Sequence, residues 1–394
     1  MRVTVGFDMA ENGTAQGPIR QGATPVSFDY NDPLLSPPDF SVTADSPTTV
    51  HFAIPGDLQT LTGGYGYDRR LIVGLQQQGV QVVVLPLSGL YPMPDAAATA
   101  DAEARFAALP DGSLVIADGL AFGVMSDIAE RHGERLKIIA LCHHPLALEA
   151  GLTQERARTL HASEKRALDA AAAVVVTSAA TATLLTQQFA IPAAKITIAP
   201  PGTDPQTFAP CAGNPPVLLT VATLTPRKAH DVLIDALAQI RHLPWIARFV
   251  GGAQFDPQWA ANLQDKVNSY RFGERIQFVG GLAELHDEYA SADVFVLPSL
   301  FEGYGMVFAE ALSFGLPVVA ARAGAVPDVV PDTAGLLVPP GDVDALTDVL
   351  TSILKDTALR NRLQQGAQQA AAKLPAWNDT AKIVAQLIEE VTNR

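Results

Sequence analysis

Two glutamates with seven residues between them, Glu302 and Glu310, carry the strongest chemical signal in the sequence. The hydrophobic run from Val294 to Ser299 reads as a strand. Gly303, Tyr304 and Gly305 then mark a tight turn in which a ligand can meet backbone N–H groups at the start of a helix. Glu302 falls in the turn and Glu310 about two turns into the helix, so the two carboxylates reach different ends of one long, polyhydroxylated ligand. A solvated cap is the competing reading for Glu302. For Glu310 it is a structurally satisfied carboxylate, since an acid flanked by Phe308, Ala309, Ala311 and Leu312 needs either a protein partner or a ligand hydroxyl.

Phosphate chemistry is suggested upstream, where the strand-like Leu219 to Val221 leads into Arg227 and Lys228. A cation gains little from the dipole at the first turn of a helix, so the pair makes more sense with an external anion there; an exposed basic pair is the plain alternative. The loop from Thr62 to Tyr67 carries Gly63 and Gly64, which let backbone approach phosphate or sugar oxygens, although its spacing is not a dinucleotide fingerprint. Arg69 and Arg70 follow, either as a charged helix face or as contacts for an anionic acceptor. Cys142, His143 and His144 end another strand. Without further well-spaced ligands they do not make a metal site, and adjacent side chains diverge, so one histidine faces substrate while the other is structural. His230, Asp235, Glu284 and His286 read as structural or solvated, and Gly280 and Gly281 as a strand-terminating turn or a backbone approach to a ligand.

The stretch from Phe301 to Pro317, with its paired glutamates and the closing Gly315, Leu316 and Pro317, resembles the signature of the retaining, nucleotide-sugar-dependent glycosyltransferases of family 4. The resemblance extends over nearly the whole chain after residue 48. It implies an α/β GT-B architecture: two Rossmann-like domains facing a cleft, the second binding the donor. Glu302 would contact donor-sugar hydroxyls, Glu310 the ribose, Lys228 the diphosphate, and Gly280 and Gly281 the nucleobase. Gly303, Tyr304 and Gly305 would complete the donor turn, and Gly63 and Gly64 would lie over the cleft. The family commonly has an arginine where this chain has Thr223, so either Arg227 supplies that charge or Lys228 acts more nearly alone. An acceptor-side histidine is implied, His144 in preference to His143. The implied activity is retaining glycosyl (hexosyl) transfer to a hydroxyl acceptor. The departing diphosphate would help remove the acceptor proton, with no cofactor, no essential metal and no side-chain nucleophile. A nucleotide-sugar epimerase and a catalytically silent nucleotide-sugar-binding protein are the rival readings.

These residues need two sheets to position them. A chain of 394 residues with 48% hydrophobic content supplies two cores. Apolar runs at 49–54, 81–85, 114–117, 137–141 and 173–176 alternate with helical patterns. A second series follows a Pro- and Gly-rich passage, at 217–221, 246–250, 276–279, 293–297, 317–320 and 335–338. The expected organisation is an N-terminal appendage over 1–48, an acceptor-side domain over 49–211, a donor domain over 212–375, and a C-terminal helix within 376–394 that the resemblance sends back to the first domain, with Trp377 as anchor. A net charge of −14 argues against nucleic acid and against a polybasic membrane dock. The absence of a long apolar window, a leader pattern or a cysteine framework points to the cytoplasm.

Overall fold

The computed structural model describes residues 48–394. The expected appendage and the strand suggested from Val3 to Phe7 fall outside the described residues, except at Thr48. Among the described residues twelve strands form two six-stranded parallel sheets. The first holds β1 (Thr49–Pro55), β2 (Gln81–Leu87), β3 (Leu114–Asp118), β4 (Lys137–Cys142), β5 (Ala173–Val176) and β6 (Ile196–Ile198) in the order β2-β1-β3-β4-β5-β6. The second holds β7 (Val217–Val221), β8 (Ile246–Val250), β9 (Ile276–Gly280), β10 (Val294–Leu297), β11 (Val318–Ala321) and β12 (Gly335–Val338) in the order β12-β11-β10-β7-β8-β9. This is the GT-B arrangement of two Rossmann-like units.

The central strands are apolar on both faces because helices cover both. β5 (AVVV), β10 (VFVL) and β11 (VVAA) are buried at every position. Alternate residues feed different cores. In the first sheet Val115 and Ala117 join Phe106, Phe122 and Phe189 on one face, while Leu114 and Ile116 join Phe52, Tyr67 and Leu71 on the other. β6 is the strand that the hydrophobic pattern misses: three residues, only partly buried, at the sheet edge.

Each sheet reverses its strand order once, between β1 and β3 in the first and between β7 and β10 in the second. Such points open a crevice at the carboxyl ends of the strands, where ligands of open α/β sheets bind.

The last helix, Trp377–Thr392, packs not on the second sheet but on the first. Val384, Leu387, Ile388 and Val391 share a core with Tyr67, Leu71 and Leu75, and a Cβ on Gly74 would lie 2.6 Å from that of Ala381. Trp377 opens this helix rather than preceding it. Its ring lies edge-on to Tyr67 and beneath the Arg70 guanidinium. The outgoing chain at 200–204 runs beside this return: Thr380 Oγ1 donates to Pro200 O at 2.6 Å, and Thr203 N to Pro375 O at 2.8 Å. Among the described residues no helix is long and apolar enough to cross a membrane.

Candidate active site

Both reversal points face one cleft. On the second sheet, the chain leaving β7 makes a tight turn over Pro226–Lys228 before the His230–Gln239 helix begins, so Arg227 and Lys228 precede the helix rather than occupy its first turn. The chain leaving β10 brings Glu302 alongside. Lys228 Nζ donates to Glu302 Oε1 at 2.7 Å, and Arg227 Nη1 lies 3.4 Å from Oε2. Two backbone ties lock the loops: Arg227 Nη1 to Phe301 O at 3.0 Å and Leu300 N to Arg227 O at 2.8 Å.

Burial alone would push the Glu302 carboxyl up, yet the two cations outweigh it and hold it below the ordinary carboxylate range. Lys228 is itself lowered, since burial dominates over its carboxylate partner. Arg227 is raised, because Glu302 and Glu149 outweigh its burial. Glu149, reaching over from the first half of the chain, receives Arg227 Nε at 2.9 Å. Thr223 carries no charge and its carbonyl receives the Thr225 N–H at 2.9 Å.

Glu310 is the fifth residue of the Met306–Ser313 helix, so it sits just over one turn in, nearer than the expected two. Tyr289 Oη donates to its Oε2 at 2.8 Å, and burial raises its pKa in spite of that bond. The carboxylate lines a cavity of about 420 Å³ with Glu284, His286, Arg69 and Gly66. Glu284 and His286, which read as structural or solvated in the sequence, thus border the cavity. Gly305 takes φ 85° and caps this helix. Tyr304 packs beside the second core, and burial pushes its hydroxyl up to about 12. At the far end of the sheet Gly280, with φ 87°, receives the Gly251 N–H at 2.9 Å, and Gly281 lies against Gly252.

The first sheet answers with a second cluster. Gly63 and Gly64 do not form a free loop: they open the Gly63–Gln77 helix, capped by Thr62 Oγ1 accepting from Tyr65 N, so their N–H groups point out of a helix start. Gly64 lies against the His143 imidazole, and Gly66 lies near Met306 on the opposite side. His143 Nε2 sits 3.1 Å from Asp68 Oδ1 and 3.4 Å from Asp118 Oδ2. Burial alone would lower this imidazole; the two carboxylates reverse that and push it up to about 10. Burial and the Asp118 charge raise Asp68 to about 7. The three potential ligand atoms lie within 4.8 Å of one another. The sequence reading found no ligand partners for His143; the fold supplies two, both at Nε2, and leaves Asp68 Oδ2 buried without a hydrogen-bond partner.

His144 diverges from its neighbour, as the alternation of a strand end requires. Burial and the nearby Arg227 push it down to about 4, so its ring is neutral. Neither ring nitrogen has a hydrogen-bond partner; the ring lies 4.8 Å from that of Phe301, and the nearest carboxylate oxygen, on Glu149, is 3.8 Å away. Arg69 donates to Leu58 O at 2.5 Å and Thr60 O at 3.3 Å. Arg70 forks onto Asp204 at 2.6 and 2.7 Å. Gly303 joins the two sides: its carbonyl accepts from Thr181 Oγ1 at 3.2 Å, and a Cβ there would lie 2.0 Å from His143 O.

Lys228, Arg227, Glu302 and His144 therefore converge, with His143 just across Gly303, whereas Glu310 and Arg69 line an adjoining cavity. Asp68, Asp118, Glu149 and Tyr289 were missed as site residues. Asp118 had a legible signal, an acid ending a buried strand just before Gly119.

Residues 52–202 match the family model "Glycosyl transferase 4-like domain", and residues 208–370 match "Glycosyl transferases group 1". A GDP-mannose-dependent alpha-(1-6)-phosphatidylinositol monomannoside mannosyltransferase of Mycolicibacterium smegmatis is 34% identical over 189 residues, 42% of this chain and 48% of the relative. A D-inositol 3-phosphate glycosyltransferase of Xylanimonas cellulosilytica is 31% identical over 253 residues, 59% of this chain and 60% of the relative. The alignments thus span about half to three-fifths of these relatives' length. Among solved structures, sucrose-phosphate synthase from Thermosynechococcus elongatus superposes with a TM-score of 0.74 at 23% identity, covering 88% of this chain and 99% of that one. Anabaena HepE in complex with UDP-glucose gives 0.69 at 20% identity, covering 87% and 99%. A match to a glycosyl transferase 4-like domain followed by one to a group 1 domain, on the GT-B architecture, makes this chain similar to glycosyltransferases over most of its length.

Proposed function

We propose that the protein transfers a glycosyl group, a hexose in the simplest case, from a nucleoside-diphosphate sugar to a hydroxyl acceptor with retention of anomeric configuration. The observation that carries this reading is the buried Lys228–Glu302 pair at the strand-order reversal of the second sheet, set against His144 across the cleft. Lys228 would meet the diphosphate, whose negative charge grows as the glycosidic bond loosens. A cation fixed in a buried site stabilises that charge more in the transition state than in the ground state. Glu302, kept ionised by its two cations, would accept hydrogen bonds from sugar hydroxyls. Glu310, held by Tyr289 at the cavity of about 420 Å³, would take the ribose, and the N–H groups of Gly63 and Gly64 would face the diphosphate. The names of the relatives support GDP- and UDP-sugars as first donors to try. No essential metal is proposed, because Lys228 and the helix-start N–H groups serve the charge; undiminished turnover in EDTA is the expected result.

In transfer assays Glu302→Gln is expected to lower kcat by about 10²-fold or more, the usual effect of removing one positioned polar contact to the transition state. The donor nucleotide should still bind. Product retaining the donor's anomeric configuration is expected. An inverted product, or efficient epimerisation without acceptor, would overturn the reading; unchanged turnover in E302Q would remove Glu302 from the mechanism.

A further inference from the structure

A second opening, of about 490 Å³, lies on the other side of the Glu302 turn. One wall is the Ala179–Gln188 helix of the first half; the other is Phe301 with Gly324 and Asp328 of the second. Phe301, the residue before Glu302, brings the start of that turn to the groove. Gly324 packs so closely on the Glu302 backbone that a Cβ would lie 2.1 Å from Glu302 O, and Ala325 N donates to that same oxygen at 3.0 Å. The helical wall is tied to the turn by Thr181 Oγ1 on Gly303 O.

The groups that face this groove are neutral or acidic. Thr183, Gln187 and Gln188 offer a hydroxyl and two amides, Asp328 a carboxylate, Phe301 a ring face, and among the described residues no lysine or arginine lines it. Elsewhere in the cleft Arg69 is held by two backbone carbonyls and Arg70 by Asp204 and Trp377, while Arg227 and Lys228 pair with Glu302 on the side assigned to the donor diphosphate. A phosphorylated acceptor would enter a groove with no counter-charge and one opposing carboxylate, on a chain of net charge −14. Amides, a hydroxyl, a carboxylate and an aromatic face suit the hydroxyls and C–H faces of an uncharged sugar.

Building on the glycosyl-transfer reading, we propose that this groove is the acceptor subsite and that it takes a neutral, polyhydroxylated acceptor such as a glycan or glycoside, not an anionic one. The test is saturation-transfer NMR on a mixture of maltose, α-1,6-mannobiose, glucose 6-phosphate and inositol 1-phosphate, with UDP or GDP present. Signal is expected from the neutral sugars and not from the phosphates. It should fall at least tenfold in Thr183→Trp, which fills the groove from an exposed helix position, while nucleotide affinity measured by calorimetry stays unchanged. Signal confined to the phosphates, neutral-sugar signal that survives T183W, or no neutral-sugar signal at all would each overturn the proposal. Failure of the unsubstituted protein to bind either nucleotide would instead strike the transferase reading on which it rests.

Discussion

Replacing Gly303 with alanine tests whether the two halves meet as tightly as the structure has them. The added Cβ would lie 2.0 Å from His143 O and 3.2 Å from its carbonyl carbon, both backbone atoms at the end of β4 that cannot rotate away. Ordinary contact requires the carbonyl to retreat by about 1 Å. That retreat also stretches the Thr181 Oγ1 bond to Gly303 O, now 3.2 Å, whose loss costs about 1 kcal/mol. With the steric strain, the destabilisation should be about 1–3 kcal/mol. The larger effect is on geometry. Gly303 adjoins Glu302, and a displacement of about 1 Å at a reacting centre costs about 10²-fold in rate. Differential scanning calorimetry of Gly303→Ala should show a lowered transition, and steady-state transfer should show kcat reduced about 100-fold with nucleotide affinity nearly intact. A variant with unchanged thermal transition and unchanged kcat would mean that the halves do not close on one another at this residue, and the argument from the seam would fail.

Glu164 is buried, with Oε1 accepting from Leu146 N at 3.1 Å and Oε2 without a partner; burial raises it from 4.5 to about 7. The folded state therefore binds this proton more tightly than the unfolded chain. The contribution of this group to stability is greatest below about pH 4.5, falls by about 3 kcal/mol as pH rises to 7, and stays lower above it. Glu164→Gln should raise the thermal transition at pH 8 and leave it nearly unchanged at pH 4, and an equal gain at both pH values would refute the assignment. For the paired histidines, ring NMR shifts should show His143 still charged at pH 8 and His144 neutral at pH 6, as the carboxylates around one and the burial of the other require. Two rings titrating together near 6.5 would remove that distinction.

The sheets were legible because their strands are runs of β-branched and aliphatic residues buried on both faces, which alternation with helical segments identifies as parallel. Ile196–Ile198 escaped because three partly buried residues between prolines carry no period. In the site, the spacing of Glu302 and Glu310 was local information, as was the Arg227 and Lys228 pair. Their partners were not. Glu149 is 78 residues from Arg227 in sequence, on a loop whose acid looks like any solvated one, and only the meeting of the two halves gives it a role. Asp68, next to Arg69 and Arg70 in sequence, is fully buried against His143, 75 residues away.

The return of the last helix to the first sheet has a consequence for the order in which the molecule can be completed. The second sheet is threaded into the chain as an insertion between β6 and the Trp377–Thr392 helix. When β1 to β6 have left the ribosome, Tyr67, Leu71 and Leu75 can pack on the strands of their own sheet but lack the rest of their core, because Val384, Leu387, Ile388 and Val391 are still to be made. The half synthesised first is thus finished last, and a ribosome that stalls within the closing helix releases a chain whose second unit is complete and whose first is open. Truncation at the C-terminus should therefore expose the N-terminal sheet to proteases before the one that precedes the cut.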